Sequence, residues 1–329
     1  MLPDEELLEL RLNQLGLRLE QRPLLAHVER LQADLKAAGL RFRPSVWLST
    51  DWFSPHGVPG FAIPFFLAHP RLLRLERSQM LEAEGGNAGW CIKLLRHETG
   101  HAIDTAYRLH RRKRWREHFG RAGEPYRRTY VPDPGSRDFV HHLDHFYAQS
   151  HPIEDFAETF AVWLRSRGRW RSQYRGWPAL GKLEYVDELM REVADRPPVV
   201  RSRERTDSLP SLRMTLRDYY RRKKFVYGEE DRSVYDGDLK RLFTTGGKGR
   251  KRAATFLRER RLELRRQVSR WTGQRPFVVD EVIRGMIHRC RELGLTLDYS
   301  EAETGEGAAV LVTTHAAHIQ RMRHREYFR

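Results

Sequence analysis

The sequence contains few cysteines and no long hydrophobic run. Only two of its 329 residues are cysteine, and Cys91 and Cys290 are too far apart in the chain to form a CxxC pair. This argues against a disulfide scaffold and against a thiolate zinc site, so any metal must be held by histidine and carboxylate side chains.

The longest stretch without a charged residue, 52–70, contains four prolines and two glycines. It therefore cannot form a membrane-spanning helix, and we expect no membrane span.

The first ten residues lack the features of a secretory signal. The segment MLPDEELLEL carries early acidic residues and has neither a basic start nor a cleavage site of small residues. We therefore expect a cytoplasmic protein.

The hydrophobic content of 40%, with 8 Trp and 15 Phe, is enough for a sizeable core. The length of the chain suits one large or two ordinary domains.

Positive charge is concentrated in the last part of the chain. The whole sequence carries 60 basic and 44 acidic residues, and residues 199–329 contain 30 of the basic but only 18 of the acidic ones. Such a region can bind a polyanion, either nucleic acid or an acidic protein, although a GC-rich genome would also produce an excess of arginine. Two basic stripes are the candidates: Arg221, Arg222, Lys223, Lys224 and Lys248, Arg250, Lys251, Arg252.

The hydrophobic periodicity predicts a mainly helical α+β protein. Helices are expected over 5–20, 23–39, 89–110 and from Pro152, and later over 212–225, 252–271 and 279–293. Short strands are expected at 45–49, 61–67 and 309–314, and Pro64 would confine the second to a sheet edge, where an extended peptide could add. We predict a zincin-like domain over 1–198, with a helical part at 1–43 and a small sheet over the 89–110 helix. A basic, mostly helical region follows over 199–329.

One pentapeptide has the pattern of a metal site. His97, Glu98 and His101 lie in the sequence HETGH within the predicted helix at 89–110. Histidines four residues apart share one helix face and can bind a single Zn²⁺, with the glutamate beside the open coordination position. The alternative is two ordinary surface histidines. A metzincin would continue with glycine and histidine where this chain has Asp104 and Tyr107, so that class is excluded.

The third ligand must come from elsewhere, and the helix from Pro152 offers two carboxylates. Glu154 and Glu158 lie four residues apart on its polar face. Like charges at this spacing repel each other, which a bound cation would offset. One carboxylate could bind zinc while the other accepts the free N–H of a ligating histidine. Alternatively, Glu154, Asp155 and Glu158 only complement the positive end of the helix dipole.

Three longer runs surround these residues: WCIKLLRHETGHAIDTAYRLHRRKRW, YAQSHPIEDFAETFAVWL and WPALGKLEYVDELM. Through them the chain resembles a bacterial family of zinc-binding metallopeptidases. HETGHAID followed by EDFAETFA is similar to the gluzincin arrangement, with a layout like that of the anthrax lethal factor catalytic domain. The resemblance implies that Glu154 is the third zinc ligand, that Glu158 contacts a ligating histidine, and that Tyr147 belongs to the site.

The residues and the resemblance together predict a zinc metallopeptidase with one Zn²⁺ per chain and a peptide or protein substrate. Glu98 would be the general base, and Tyr147 would donate a hydrogen bond to the developing oxyanion; the alternative for Tyr147 is a packed loop aromatic. The competing hypothesis is a non-catalytic zinc protein that binds nucleic acid or an acidic partner through residues 199–329. A structural zinc site needs a fourth protein ligand and no base, so Glu98 favours the enzyme.

Other reactive side chains in this region are expected to be structural. His141, His142 and His145 are close together in the sequence, but neighbouring histidines rarely converge on one ion, so we expect them to line the cleft or to pack. Cys91 lies six residues before His97 on the same predicted helix, and we expect it to be buried.

Overall fold

The computed structural model is predominantly helical with small sheets, which confirms the α+β class predicted from the sequence. It describes residues 3–20, 24–126, 132–166, 168–227, 233–247 and 250–323. The chain forms two compact units: the first comprises Met1–Arg77 and Ala83–Arg217, and the second comprises Ser78–Glu82 and Asp218–Arg329. The domain boundary between residues 198 and 199 stays a prediction.

The elements up to residue 193 are mostly helices with one pair of strands. They are α1 (Asp4–Glu9), α2 (Leu24–Ala37), β1 (Ser45–Ser49), β2 (Gly60–Pro64), α3 (Pro70–Met80), α4 (Ala88–Tyr107), α5 (Lys113–Phe119), α6 (Pro152–Ser166), α7 (Trp170–Gln173) and α8 (Ala179–Val193). The helix expected over 5–20 is wrong in length, because the backbone N–H of Leu12 bonds to the carbonyl of Met214, 3.0 Å away, instead of continuing α1.

The strands β1 and β2 form a small parallel sheet beside α4. The register runs from Ser45 opposite Gly60 to Ser49 opposite Pro64. All five residues of β2 are buried, and the strand packs against α4. The sequence correctly predicts a small sheet over this helix.

The predicted strand at 61–67 is wrong in its end, and its second edge is paired at one residue. The strand stops at Pro64, and a 3₁₀ helix follows over Phe65–Ala68. On the side of β2 away from β1, the N–H of Ala62 donates to the carbonyl of Phe53 at 2.8 Å. This edge is therefore paired at Ala62, and the addition of an extended peptide to β2 stays a prediction.

The centre of the first unit is the contact between α4 and α6. The apolar face of α6 is fully buried, with Phe156, Ala157 and Phe160 all inaccessible to solvent. The polar face of α6 is buried as well, because it lies against α4. The glutamates of α6 therefore stand inside the protein, where an uncompensated charge would be costly.

The second unit is a helical bundle with a small antiparallel pair of strands. Its elements are α9 (Leu216–Tyr227), α10 (Asp236–Leu242), β3 (Phe243–Thr245), α11 (Ala253–Thr272), α12 (Pro276–Glu292), β4 (Leu295–Leu297) and α13 (Glu301–Arg323). The helices α11, α12 and α13 pack against one another. The buried carboxylate of Asp280 on α12 accepts from Arg261 at 2.8 Å and from Arg265 at 3.2 Å, which joins α12 to α11.

The strand expected at 309–314 is wrong, because this segment lies within α13. Ala308, Val312 and Ala316 are buried at intervals of four residues. That spacing is the period of a helix with one buried face, and it outweighs the strand preference of the valines and threonines.

Most described cations of the two basic stripes have partners within the protein. Lys248 lies outside the described residues. The interactions are Arg221 with Asp218, Lys223 with Tyr219, Lys224 with Gln79, Arg250 with Asp298, and Lys251 with Glu259 and Glu301. Polyanion binding by this region stays a prediction.

Within the described residues, no helix combines the length and the apolar character needed to cross a membrane.

Candidate metal centre

The helix α4 presents the HETGH sequence inside the first unit. It begins after Asn87, whose side-chain oxygen accepts the N–H of Trp90 at 2.9 Å, and it ends at Arg108 in a left-handed conformation. Such a cap satisfies one of the free N–H groups at a helix start. His97 and Glu98 are only 3% and 6% exposed. A well-defined helix thus carries the two histidines and the glutamate at a buried position.

Gly100 explains how α6 can approach this helix so closely. A Cβ atom at this position would lie 2.7 Å from the Cα of Ala157 on α6, closer than two such atoms can stand. Only glycine therefore permits the observed separation of the two backbones. The glycine of HETGH is a packing residue, and it brings the glutamates of α6 within reach of the histidines of α4.

Three ligand atoms from these helices converge on one point. The distances between Nε2 of His97, Nε2 of His101 and Oε2 of Glu154 are 3.1 Å for each pair. Ligands of a tetrahedral zinc ion at about 2.0–2.2 Å stand roughly 3.3 Å apart. Two imidazole nitrogens and one carboxylate oxygen at this spacing fit zinc in both size and chemistry. These residues are the group of potential metal ligands found in the described part of the chain.

Glu158 lies on the opposite side of the His97 ring. Its Oε1 is 2.8 Å from Nδ1 of His97, and its Oε2 accepts the backbone N–H of Leu143 at 2.8 Å. An ionised carboxylate can only accept hydrogen bonds, so Nδ1 of His97 carries the proton. Nε2 of His97 is then the ring nitrogen that faces the point where the three ligand atoms meet.

The pKa values of the centre show that it favours positive charge. Burial lowers the pKa of His97, but hydrogen bonds and attraction from Glu154 and Glu158 outweigh burial and hold this pKa well above its usual value. Burial raises the pKa of Glu154, but His101 and His97 outweigh it and hold this pKa well below the usual range. The site therefore keeps its carboxylate ionised and stabilises a cation beside it.

Glu98 is the buried carboxylate next to the ligand group. Burial raises its pKa, which the positive charge of His101 and His97 and a hydrogen bond from Ser54 partly offset. Ser54 donates from Oγ to Oε2 of Glu98 at 2.9 Å. A raised carboxylate pKa suits proton transfer near neutral pH. The HETGH motif does not predict the contact with Ser54.

Two tyrosines stand at the centre. The ring of Tyr147, in the 3₁₀ helix Asp144–Gln149, lies 5.6 Å from the His97 ring between centroids. Tyr126 donates from its hydroxyl to Oε1 of Glu154 at 2.6 Å. Sequence reasoning missed Tyr126, because it precedes Glu154 by 28 residues in an irregular segment and no motif relates the two.

The nearest alternative ligands are engaged elsewhere. His151 contacts the carbonyl of Glu124 through Nε2 at 2.8 Å and accepts the N–H of Ile153 at Nδ1. Asp155 forms an ion pair with Lys182 at 2.6 Å. Neither side chain is directed at the three converging ligand atoms.

The other histidines and the cysteine of this region are packed or bonded away from the centre. His142 donates from Nε2 to the carbonyl of Lys93, and burial lowers its pKa to about 4. His141 packs against Phe146 and Trp177, whereas the side chain of His145 lies outside the described part of the structure. Cys91 is buried, as expected, and burial raises the pKa of its thiol to about 12.

The segment that carries this centre is similar to a known protein family. Residues 77–174 match the model of a family described as "Putative zinc-binding metallo-peptidase". No curated protein and no solved structure matches the chain. The matched segment contains α4, the 3₁₀ helix of Tyr147 and α6, and hence every potential ligand named above. The match confirms the resemblance that the motifs indicate: residues 77–174 of this chain are similar to that family of putative zinc-binding metallo-peptidases.

Proposed function

We propose that the protein is a zinc-dependent peptidase that binds one Zn²⁺ per chain through His97, His101 and Glu154. The observation that carries the proposal is the triangle of ligand atoms, each pair 3.1 Å apart, with the buried carboxylate of Glu98 beside it. In the part of the chain that the structure describes, no fourth histidine, cysteine or carboxylate joins this group. A site with three protein ligands and a neighbouring base is typical of a catalytic zinc, whereas a structural zinc has four ligands.

Each side chain of the centre has a separate role in the proposed hydrolysis. When bound, zinc supplies Lewis acidity, which makes water nucleophilic near neutral pH and polarises a carbonyl. Glu98 accepts the proton of the attacking water at its carboxylate and passes it to the leaving amine. Glu158 holds the proton at Nδ1 of His97 and so keeps Nε2 available as a ligand. Tyr147 donates a hydrogen bond to the oxygen of the scissile carbonyl as charge develops there.

The general base gives the direct test of this function. In Glu98→Gln the ligands are intact but the side chain cannot accept the proton, so zinc content should remain one per chain. Hydrolysis of a random peptide library, followed by mass spectrometry, should fall by about 10²–10⁴-fold. Glu117→Gln, which changes a half-exposed glutamate paired with Lys113, is the matched control and should cleave like the wild type. Full activity in Glu98→Gln would show that a different base acts.

A further inference from the structure

Tyr126 contacts the carboxylate proposed as the third zinc ligand. The two oxygens of Glu154 have different surroundings: Oε2 lies 3.1 Å from both His97 and His101, whereas Oε1 accepts the hydroxyl proton of Tyr126 at 2.6 Å. The side chain of Glu154 is almost completely buried. A hydrogen bond to a buried carboxylate is charge-assisted and strong, so this contact fixes the rotation of the carboxylate.

The ring of Tyr126 is itself held at the start of α6. It stacks on the imidazole of His151, with ring centroids 3.9 Å apart and ring planes within 14° of parallel. Nε2 of His151 lies 2.8 Å from the carbonyl of Glu124, and Nδ1 accepts the N–H of Ile153 at 3.2 Å. Because a carbonyl can only accept and the backbone N–H can only donate, these two contacts place a ring proton of His151 on Nε2 and leave Nδ1 as the acceptor.

These contacts form a closed chain around the first turn of α6. His151 bonds to the segment before Tyr126, carries the Tyr126 ring on its face, and stands three residues before Glu154. The hydroxyl of Tyr126 then returns to Glu154. The orientation of the carboxylate is thus set by an aromatic pair from outside the HETGH motif.

We propose that Tyr126 is a positioning residue, which holds Glu154 so that a single oxygen, Oε2, binds the metal. The inference rests on the proposed function, since it takes Glu154 as a zinc ligand. A phenol has one proton, and in this arrangement Tyr126 donates it to Glu154. Tyr126 therefore acts through the ligand, whereas Tyr147 is the tyrosine proposed above as the donor to the scissile carbonyl.

The substitution Tyr126→Phe tests this role, because it keeps the stacked ring and removes only the hydroxyl. Partners of metal ligands typically contribute about 10–100-fold to metal affinity. We expect the zinc Kd, measured by competition with a zinc-sensitive dye, to rise by that factor. The visible spectrum of the Co²⁺-substituted protein should change as well, because the carboxylate can rotate.

The matched control is Tyr107→Phe, which removes a hydroxyl that donates to the carbonyl of Arg196 at 2.8 Å in the same unit. It should leave both the zinc Kd and the Co²⁺ spectrum as in the wild type. The unfolding temperature of each metal-free variant checks that both proteins are folded.

Four results would contradict the inference. An unchanged zinc Kd and Co²⁺ spectrum in Tyr126→Phe, with only a lower unfolding temperature, would make Tyr126 a structural residue. An unchanged Kd with a reduced kcat would make it a direct donor to the substrate. If Glu154→Ala loses zinc while Tyr126→Phe binds it normally, the inference alone fails; if the wild type binds no zinc, the proposed function fails with it.

Discussion

At the scale of single residues, one hydrogen bond adjusts the proposed base. Ser54 donates to Oε2 of Glu98 at 2.9 Å and stabilises the ionised carboxylate, which lowers its pKa against the larger effect of burial. In Ser54→Ala this donor is lost, so the charged form is less stable and the pKa of Glu98 rises. The base is active only when it is ionised. As the pH is lowered, Ser54→Ala should therefore lose activity at a higher pH than the wild type does.

The measurement is the acid limb of the pH profile of kcat/KM, which reports the free enzyme. We expect this limb to move to higher pH in Ser54→Ala. Ser49→Ala, which removes a hydroxyl bonded to the carbonyl of Asp207, serves as the control and should not move it. An acid limb that is identical in Ser54→Ala and the wild type would show that the limb does not report Glu98.

The sequence identifies residues of the centre only where a pattern links them. His97, Glu98 and His101 follow from the spacing on one helix, and the three contacts at 3.1 Å show that the histidines do converge with a carboxylate. Ser54 and Tyr126 reach the centre from 44 residues before Glu98 and 28 residues before Glu154. A hydrogen bond between residues so far apart in the chain produces no periodic pattern in the sequence, because it depends on how irregular segments fold over the helices.

At the scale of elements, the close packing of α4 and α6 assembles the centre. A Cβ atom at Gly100 would lie 2.7 Å from the Cα of Ala157, and the obstacle is backbone, which cannot simply rotate away. Gly100→Ala must therefore push the helices apart and separate Glu154 from His97 and His101. Overpacking of this kind typically costs about 1–3 kcal/mol of stability.

We predict that Gly100→Ala has a lower free energy of unfolding than the wild type. We also predict that it binds zinc more weakly than a variant in which a glycine far from the centre is replaced by alanine. Gly181→Ala on α8 is the control, because a Cβ atom there meets no atom within 4 Å. Alanine favours the helix by about 1 kcal/mol over glycine, so this control should be as stable as the wild type or more stable. Denaturant unfolding and a zinc titration of both variants check the prediction; equal zinc affinities would show that helix separation does not control the site.

The elements predicted wrongly also have physical reasons. The predicted strand at 309–314 follows the local preference of valine and threonine, but a buried face with a period of four residues makes the segment part of α13. The strand predicted for 61–67 ends early because a 3₁₀ helix begins at Phe65, and its edge is paired at Ala62 because Phe53 bonds to that residue. Local sequence shows which residues favour a strand, whereas pairing partners and burial are decided by the rest of the fold.

At the scale of the whole molecule, the net charge of +16 gives a weaker argument for function than the centre does. Acidic or polar side chains within the second unit contact many of the basic residues of the two stripes, including Arg221, Arg250 and Lys251. The excess of arginine shows where the charge lies in the sequence, but only the structure shows how much of it is already paired.

The metal content of the purified protein is the direct test of zinc binding by His97, His101 and Glu154. After purification without chelator or added metal, plasma mass spectrometry should find one zinc per chain in the wild type. We expect that Glu154→Ala, which removes one of three ligands, contains almost no zinc, whereas Glu158→Ala retains the ion with an affinity about 10–100-fold weaker. A wild-type content well below one zinc per chain would contradict zinc binding at this centre. A Glu154→Ala variant that keeps its zinc while Glu158→Ala loses it would contradict the choice of Glu154 as the ligand.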